Sequence, residues 1–145
     1  MAAMQHPTAP DLAADGARPA PLVLLAGNGC ERAQDLLLEA HYRVRHAGSP
    51  AALWRLARSE APGLIVLGDT VAEEPGLSLL SRLQDDTATR PIPVLMMAEA
   101  GDEELAVALG AADCLSLPLR PLVVLARVHA QLKLAALSAR QEARA

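Results

Sequence analysis

Short apolar runs alternate with amphipathic segments along this chain from residue 21 onwards. Four runs have the length and apolar character of buried strands: LVLLA at 22–26, GLIVLG at 63–68, IPVLMMA at 92–98 and DCLSLP at 113–118. A fifth run, YRVRHA at 42–47, alternates polar and apolar side chains, which predicts a more exposed strand. Enough chain separates consecutive runs for a helix to fit between each pair.

The segments between the runs predict helices that each bury one face. In CERAQDLLLEA, Ala33 and Leu37 recur at helical spacing while charged residues occupy the other faces. SPAALWRLARSE begins with Ser49, a typical N-cap, followed by Pro50 in the first turn. Two further helices are predicted over GLSLLSRLQDD and DEELAVALGA, and a long last helix begins at Pro121.

Apolar strands that alternate with amphipathic helices predict a parallel sheet covered on both faces. The fold class is therefore α/β, a flavodoxin-like (βα)5 arrangement with a doubly wound five-stranded sheet in the order 2-1-3-4-5. In such folds the functional site lies outside the carboxyl ends of the strands, beside the switch point between the first and third strands. The residues at that edge are 26–29, 68–70, 98–99 and 116–118.

The composition argues against several kinds of binding partner and cofactor. Aromatic residues make up 1% of the chain, and 13 Lys and Arg stand against 17 Asp and Glu without a basic block, so we expect no direct binding to nucleic acid. No run of about 18 apolar residues occurs, so we expect no membrane span and a cytoplasmic location. The two cysteines, Cys30 and Cys114, lack metal-ligand spacing, and we expect neither a metal nor another cofactor.

The chain divides into three predicted parts. Residues 1–20 contain three prolines and several polar residues, which predicts a disordered leader rather than a secretion signal. Residues 21–137 hold the whole strand–helix pattern and predict one domain. Residues 138–145 predict a helical extension or linker that follows the last helix.

Three segments resemble the response-regulator receiver domains (CheY-like) of two-component signalling. APGLIVLGDTVAEEPGLSLLSRLQDD is similar to the third strand, loop and third helix of that family, and TRPIPVLMMA is similar to its IPVIMLTA segment. LGAADCLSLPLRPLVVLARVHAQL is similar to its AGADDYLTKPFDPEELLARVRALL segment. The resemblance covers roughly residues 21–137, and it implies that Pro118 follows a cis peptide bond.

The residue types with which receivers perform their chemistry are missing at the matching positions. The two acids that hold Mg²⁺ in the family correspond to Ala26 and Gly27, and the phosphoacceptor aspartate corresponds to Gly68. The Ser or Thr that binds the phosphoryl group corresponds to Ala98, and the lysine corresponds to Leu117. The resemblance therefore implies a degenerate receiver, or pseudo-receiver.

These replacements are mutually consistent. A partly buried lysine that lost its acidic partners would cost several kcal/mol, and Leu117 avoids that cost. Cys114 stands at the position of the family's aromatic switch residue. We predict a phosphorylation-independent protein that is not an enzyme and whose degenerate pocket consists of Ala26, Gly27, Gly68, Ala98 and Leu117.

Two alternatives use other residues. Asp69 follows the acceptor position by one residue, and it would serve as a substitute phosphoacceptor if the third strand ended early or bulged. Cys30, at a predicted helix N-terminus where the helix dipole lowers a thiol pKa, or Cys114 would serve a small-ligand or redox sensor.

The last helix carries more apolar residues than one buried face requires. Leu122, Leu125, Val128 and Leu132 have core spacing, which leaves Val124, Leu134 and Leu137 on other faces. Surplus apolar residues indicate an interface.

The family's usual dimer face lies in this region, and it implies an interface formed by Val107, Leu115, Val124, Leu134 and Leu137. We predict a homodimer, or docking to a signalling protein or output domain. By family analogy the output is a diguanylate cyclase, a histidine kinase or a DNA-binding domain.

Overall fold

The computed structural model describes residues 21–99 and 101–144, with the side chains of 139–144 excepted. The predicted leader at residues 1–20 therefore lies outside the described residues, as does Ala145. The elements are β1 Leu22–Ala26, α1 Cys30–Glu39, β2 Arg43–Ala47, α2 Pro50–Ser59, β3 Leu64–Leu67, β4 Thr70–Val71, β5 Glu74–Pro75, α3 Gly76–Asp85, β6 Val94–Ala98, α4 Glu103–Ala108, β7 Asp113–Ser116 and α5 Pro121–Arg144.

A five-stranded parallel sheet forms the centre of the molecule in the order β2-β1-β3-β6-β7. Without the small β4–β5 pair, this is the predicted order 2-1-3-4-5, and the α/β fold class is confirmed. The predicted exposed strand is β2, which lies at one edge of the sheet and has a single buried residue, Ala47. The central strands β1, β3 and β6 are buried throughout, as a sheet covered on both faces requires.

The sheet separates two hydrophobic clusters. One includes Leu53 from α2, Leu80 from α3 and Ala106 from α4. The other includes Leu37 from α1 and Val128 from α5. Alternate residues of each central strand belong to opposite clusters, because successive strand side chains point to opposite faces.

Local sequence signals account for several element boundaries. The Ser49 hydroxyl accepts a hydrogen bond from the Ala52 amide at 3.1 Å, so Ser49 caps α2 as predicted, with Pro50 in the first turn. The Leu117–Pro118 peptide bond is cis, as the resemblance implies. None of the helices among the described residues is long and apolar enough to cross a membrane.

The segment between β3 and α3 is a hairpin that the sequence pattern does not predict. β4 and β5 pair antiparallel, with Thr70 opposite Pro75. Ala72 and Glu73 form the turn with φ of 47° and 73°, a left-handed conformation that these residues seldom adopt. The hairpin folds over the carboxyl edge of the sheet, where the predicted site lies.

Candidate functional site

The structure brings the first three pocket residues into direct contact. Ala26 is the buried last residue of β1, and its carbonyl oxygen accepts a hydrogen bond from the Gly68 amide at 2.8 Å. Gly27 follows with φ of 110°, so the chain turns sharply out of the strand. The switch point between β1 and β3 is therefore formed by main chain.

Gly68 has no space for a side chain. A Cβ atom at this position would overlap the carbonyl oxygen of Asn28 and would lie 2.9 Å from the Asn28 nitrogen. These obstacles belong to the backbone, so a change of rotamer cannot relieve them. The place of an acceptor carboxylate is occupied by the turn that follows β1.

Gly27 and Gly76 close the same volume from two other sides. A Cβ on Gly27 would lie 2.7 Å from the Thr70 carbonyl oxygen, and one on Gly76 would overlap the carbonyl oxygen of Gly68. Gly76 is the first residue of α3, where glycine is a poor helix former. A glycine at this unfavourable position was the available sequence signal for the close approach, and the apolar pattern alone did not reveal it.

Hydrogen bonds from Asn28 connect the β1–α1 turn to the β4–β5 hairpin. Its backbone amide donates to the Thr70 carbonyl oxygen at 2.9 Å, and its side-chain amide donates to the Thr70 hydroxyl at 2.6 Å. A third hydrogen bond joins the Gly76 amide to the Asp69 carbonyl oxygen at 2.7 Å. The sequence pattern did not indicate a role for Asn28 or Thr70.

The alternative acceptor Asp69 is exposed at the edge of this closed region. Its carboxylate has no hydrogen-bond or ion-pair partner among the described residues. Within the same part of the chain, no three His, Cys, Asp or Glu side chains come together in a way that could hold a metal ion. Asp69 thus lies next to the acceptor position without the groups that assist a phosphoacceptor.

Ala98 and Leu117 form the other half of the predicted pocket. The Leu117 amide donates to the Ala98 carbonyl oxygen at 3.3 Å, so the ends of β6 and β7 stay together. The Leu117 side chain packs against the core cluster on the α1–α5 face of the sheet. A residue in the position of the family's lysine therefore contributes to packing.

The two cysteines lie on opposite faces of the sheet. Cys30 belongs to the cluster on the α1–α5 face and Cys114 to the other cluster, so the sheet keeps their sulfur atoms apart. Burial raises the pKa of the Cys30 thiol to about 12, although the thiol begins a helix. Burial also raises the pKa of Cys114, and the charges of Asp113 and Glu103 add to this effect. Neither thiol has the depressed pKa of a reactive cysteine.

An open cleft of about 390 Å³ lies beside the pocket, between the end of β7 and the start of α5. Its walls include Ser116, Leu117, Arg120 and Val123. Arg127 is also part of the wall, but its guanidinium is held at 2.5 Å by the Asp113 carboxylate. This cleft lies on the side of Leu117, away from Gly68.

The structure corrects part of the predicted interface. Leu115 and Val124 are each only 1% exposed, so their side chains belong to the core. Leu122, which has core spacing in the sequence, is 68% exposed. On α5, Val124 is therefore a core residue and Leu122 a surface residue, the reverse of the prediction. The reason is that tertiary packing sets which side of α5 faces the sheet. Val107 on α4 is exposed, and Leu134 and Leu137 on α5 are 56% and 46% exposed.

Comparison with known proteins supports the fold assignment. No protein-family model matches the chain. A protein described as a response regulator from Chloroflexus aurantiacus is 23% identical, with a TM-score of 0.73 over 79% of this chain and 99% of that one. The signal receiver domain of a signal transduction histidine kinase from Syntrophus aciditrophicus is 22% identical, with a TM-score of 0.69 over 79% of this chain and 91% of that one.

NtrX from Brucella abortus is 18% identical, with a TM-score of 0.76 over 88% of this chain. The match covers 30% of the NtrX chain, so the similar unit is part of a longer protein there. At these identities the likeness establishes the fold, which is that of response-regulator receiver domains.

Proposed function

We propose that this chain is a phosphorylation-independent pseudo-receiver that works as a protein–protein interaction module in two-component-type signal transduction. It performs no catalysis of its own, and its binding surfaces regulate a fused or partner output domain. The receiver fold and the sequence resemblance support the signalling class. The chemistry of the carboxyl edge supports independence from phosphorylation.

One observation carries the proposal: the carbonyl oxygen of Asn28 occupies the place that a side chain on Gly68 would need. Aspartyl phosphorylation in a receiver needs a carboxylate there, with Mg²⁺ and a cation beside it. Here main chain fills that volume, and the nearest acid, Asp69, is exposed. Leu117, at the position of the family's lysine, is half-buried and packs against the core cluster. The pocket has thus become a structural contact.

The surface of α4 and α5 supports the role in binding. Leu105 and Val107 are exposed on α4, and Val123, Leu134 and Leu137 are exposed on α5. These two helices lie on opposite faces of the sheet and both contact β7, and exposed apolar residues are typical of interfaces.

The charges of the two elements differ in sign. The first turn of α4 carries Glu103 and Glu104. Residues 114–138 contain Arg120, Arg127 and Lys133 but no acid. A partner with the opposite arrangement of charge would meet complementary groups on both elements.

The regulated output is proposed by analogy with the longer chain of NtrX, in which the similar unit covers 30% of the length. A diguanylate cyclase, a histidine kinase or a DNA-binding domain would suit this role. In each case signalling would depend on docking or dimerisation rather than on a phosphoryl group.

Amide NMR spectra with and without Mg²⁺ plus beryllofluoride, a mimic of the acyl phosphate, test the proposal. We expect no shifts for Gly68, Leu117 and their neighbours under conditions that shift the spectrum of a receiver with an intact acceptor site. Saturable shifts centred on Gly68 and Leu117 would show a working pocket and overturn the proposal.

A separate phosphorylation experiment tests the alternative acceptor. Phosphorylation of Asp69 by a small phosphodonor would appear in intact-mass spectra, and it would disappear in Asp69→Asn but persist in the matched variant Glu73→Gln. We expect no such adduct in the native chain. An adduct that only Asp69→Asn abolishes would establish the atypical receiver instead.

A further inference from the structure

An apolar groove of about 250 Å³ lies between α1 and α5. Apart from Glu39, the described residues that line it are apolar: Leu36 and Ala40 on α1, and Pro121, Leu122 and Leu125 on α5. Ala40 and Leu125 are buried, whereas the side chain of Leu122 is 68% exposed. We call this feature the α1–α5 groove. Exposed apolar surface of this kind is typical of a binding site.

The chain enters the domain beside α5. Pro21 directly precedes β1, and its Cβ atom lies 3.0 Å from the position of a Cβ on Gly63. The Cδ2 atom of Leu132 on α5 lies 3.0 Å from the same position, so Pro21 and Leu132 are neighbours. Leu125, which lines the groove, is seven residues before Leu132, or about 10 Å along the helix. The segment that precedes Pro21 is therefore attached on the side of the sheet where the groove lies.

The leader contains one residue that suits the groove and can reach it. Leu12 is the only leucine among residues 1–20, which contain no Val, Ile or aromatic residue, and Ala13 and Ala14 follow it. The nine residues from Leu12 to Pro21 span up to about 30 Å when extended. This reach exceeds the distance along α5 that separates the point of attachment from the groove.

We propose that Leu12 inserts into the α1–α5 groove of its own chain, so that residues 11–15 cover the exposed Leu122. The tether favours this occupant over a separate molecule, because a short flexible linker gives an effective concentration of about a millimolar. An external partner could use the groove only after displacing the leader, which makes the leader an intramolecular competitor. This role goes beyond the function proposed above and does not depend on the state of the edge at Gly68.

Paramagnetic relaxation enhancement on the full chain tests the contact. Ala9→Cys provides a site for a nitroxide label close to Leu12, and the native Cys30 and Cys114 are buried and protected from the label. We expect a several-fold loss of amide signal for residues 36–40 and 121–125. The signals of α3, which packs on the other face of the sheet, should remain. A weak and uniform effect over the whole surface would show a leader that is disordered throughout, and it would overturn the proposal.

Matched substitutions in the nitroxide-labelled chain test the two sides of the contact. Leu12→Asp in the leader and Leu122→Asp in the groove should each abolish the local loss of signal. Met4→Asp is the control in the leader, and Leu134→Asp is the control on α5, because Leu134 is also exposed but does not line the groove. If a control substitution abolishes the effect as fully as its matched variant, Leu12 does not occupy this groove.

A mixed sample distinguishes the leader of the same chain from that of a second copy. Isotope-labelled chains without nitroxide are mixed with unlabelled chains that carry it at Ala9→Cys. We expect residues 36–40 and 121–125 to keep their signals in this mixture. A loss there as large as in the singly prepared chain would place the leader of a second copy in the groove and overturn the intramolecular contact.

Discussion

Gly68 lies against the main chain of Asn28 so closely that the carbonyl oxygen of Asn28 takes the place of a Cβ. The contact joins the end of β3 to the turn after β1, the two segments that form the phosphorylation site of a receiver. Gly27 and Gly76 complete the same contact, so backbone packs closely against backbone at all three glycines.

Restoring the missing acceptor should damage this fold rather than repair its function. Gly68→Asp forces the β1–α1 turn away from β3 and places a carboxylate at a buried position, and we expect it to lower the free energy of unfolding by roughly 1–3 kcal/mol. Denaturant titration measures the effect. Gly48→Asp is the control, because a Cβ on Gly48 would meet no atom within 4 Å. Equal stability of Gly68→Asp and the native chain would contradict the packed pocket.

The side-chain bond between Asn28 and Thr70 should stabilise the closed edge by a small amount. Asn28→Ala, Thr70→Val and the double variant form a thermodynamic cycle, and we expect a coupling energy of about 0.5–1 kcal/mol in the free energy of unfolding. The value is modest because the bond is exposed to water. A coupling energy near zero would show that the backbone bond alone holds the two segments together.

The stability of the fold should decline at alkaline pH as Cys30 becomes ionisable in the unfolded chain. Burial raises the pKa of this thiol from 9.0 to about 12, so its contribution is complete below pH 9 and is lost as the pH rises towards 12. The loss begins at about half of its full rate at pH 9 and approaches roughly 1.4 kcal/mol per pH unit in the middle of that window. Denaturant titrations between pH 9 and 10 should show this slope in the native chain and a flatter one in Cys30→Ala.

Tyr42→Phe provides the control for this slope. Burial raises the pKa of Tyr42 from 10.0 to about 12, so its contribution is lost only above pH 10. The slope between pH 9 and 10 should therefore remain in Tyr42→Phe. If Cys30→Ala retains the native slope, a different group titrates in that window.

The burial of Leu115 and the exposure of Leu122 can be tested by truncating each side chain to alanine. Leu115→Ala removes a buried side chain from β7, and we expect it to lower the free energy of unfolding by about 2–5 kcal/mol. Leu122→Ala removes an exposed side chain, and we expect a change within about 0.5 kcal/mol. Similar losses from both variants, measured by denaturant titration, would contradict the burial of Leu115.

Much of the fold follows from the order of apolar runs, because fully buried parallel strands and one-sided helices leave distinct periods in the sequence. The five main strands, the cap at Ser49 and the sheet order were predicted in this way. The β4–β5 hairpin was not, because its strands are two residues long and Ala72 and Glu73 adopt left-handed conformations that residue type does not indicate. The predicted roles of Leu122 and Val124 were also wrong. Apolar residues lie on several faces of α5, so the sequence period alone cannot identify the face that packs against the sheet.

The sequence by itself determined that this protein is a five-stranded α/β domain and that no carboxylate stands at position 68. Both properties follow from residue types and from the local spacing of apolar residues, which the sequence itself contains. Only the tertiary structure decided what occupies the space beside Gly68 and which part of α5 faces outward. The space beside Gly68 is filled by Asn28, which lies 40 residues earlier in the chain. The outer face of α5 is defined by packing that includes α1 and β3, both distant in sequence. Such contacts depend on how segments meet in space, and local sequence patterns do not encode them.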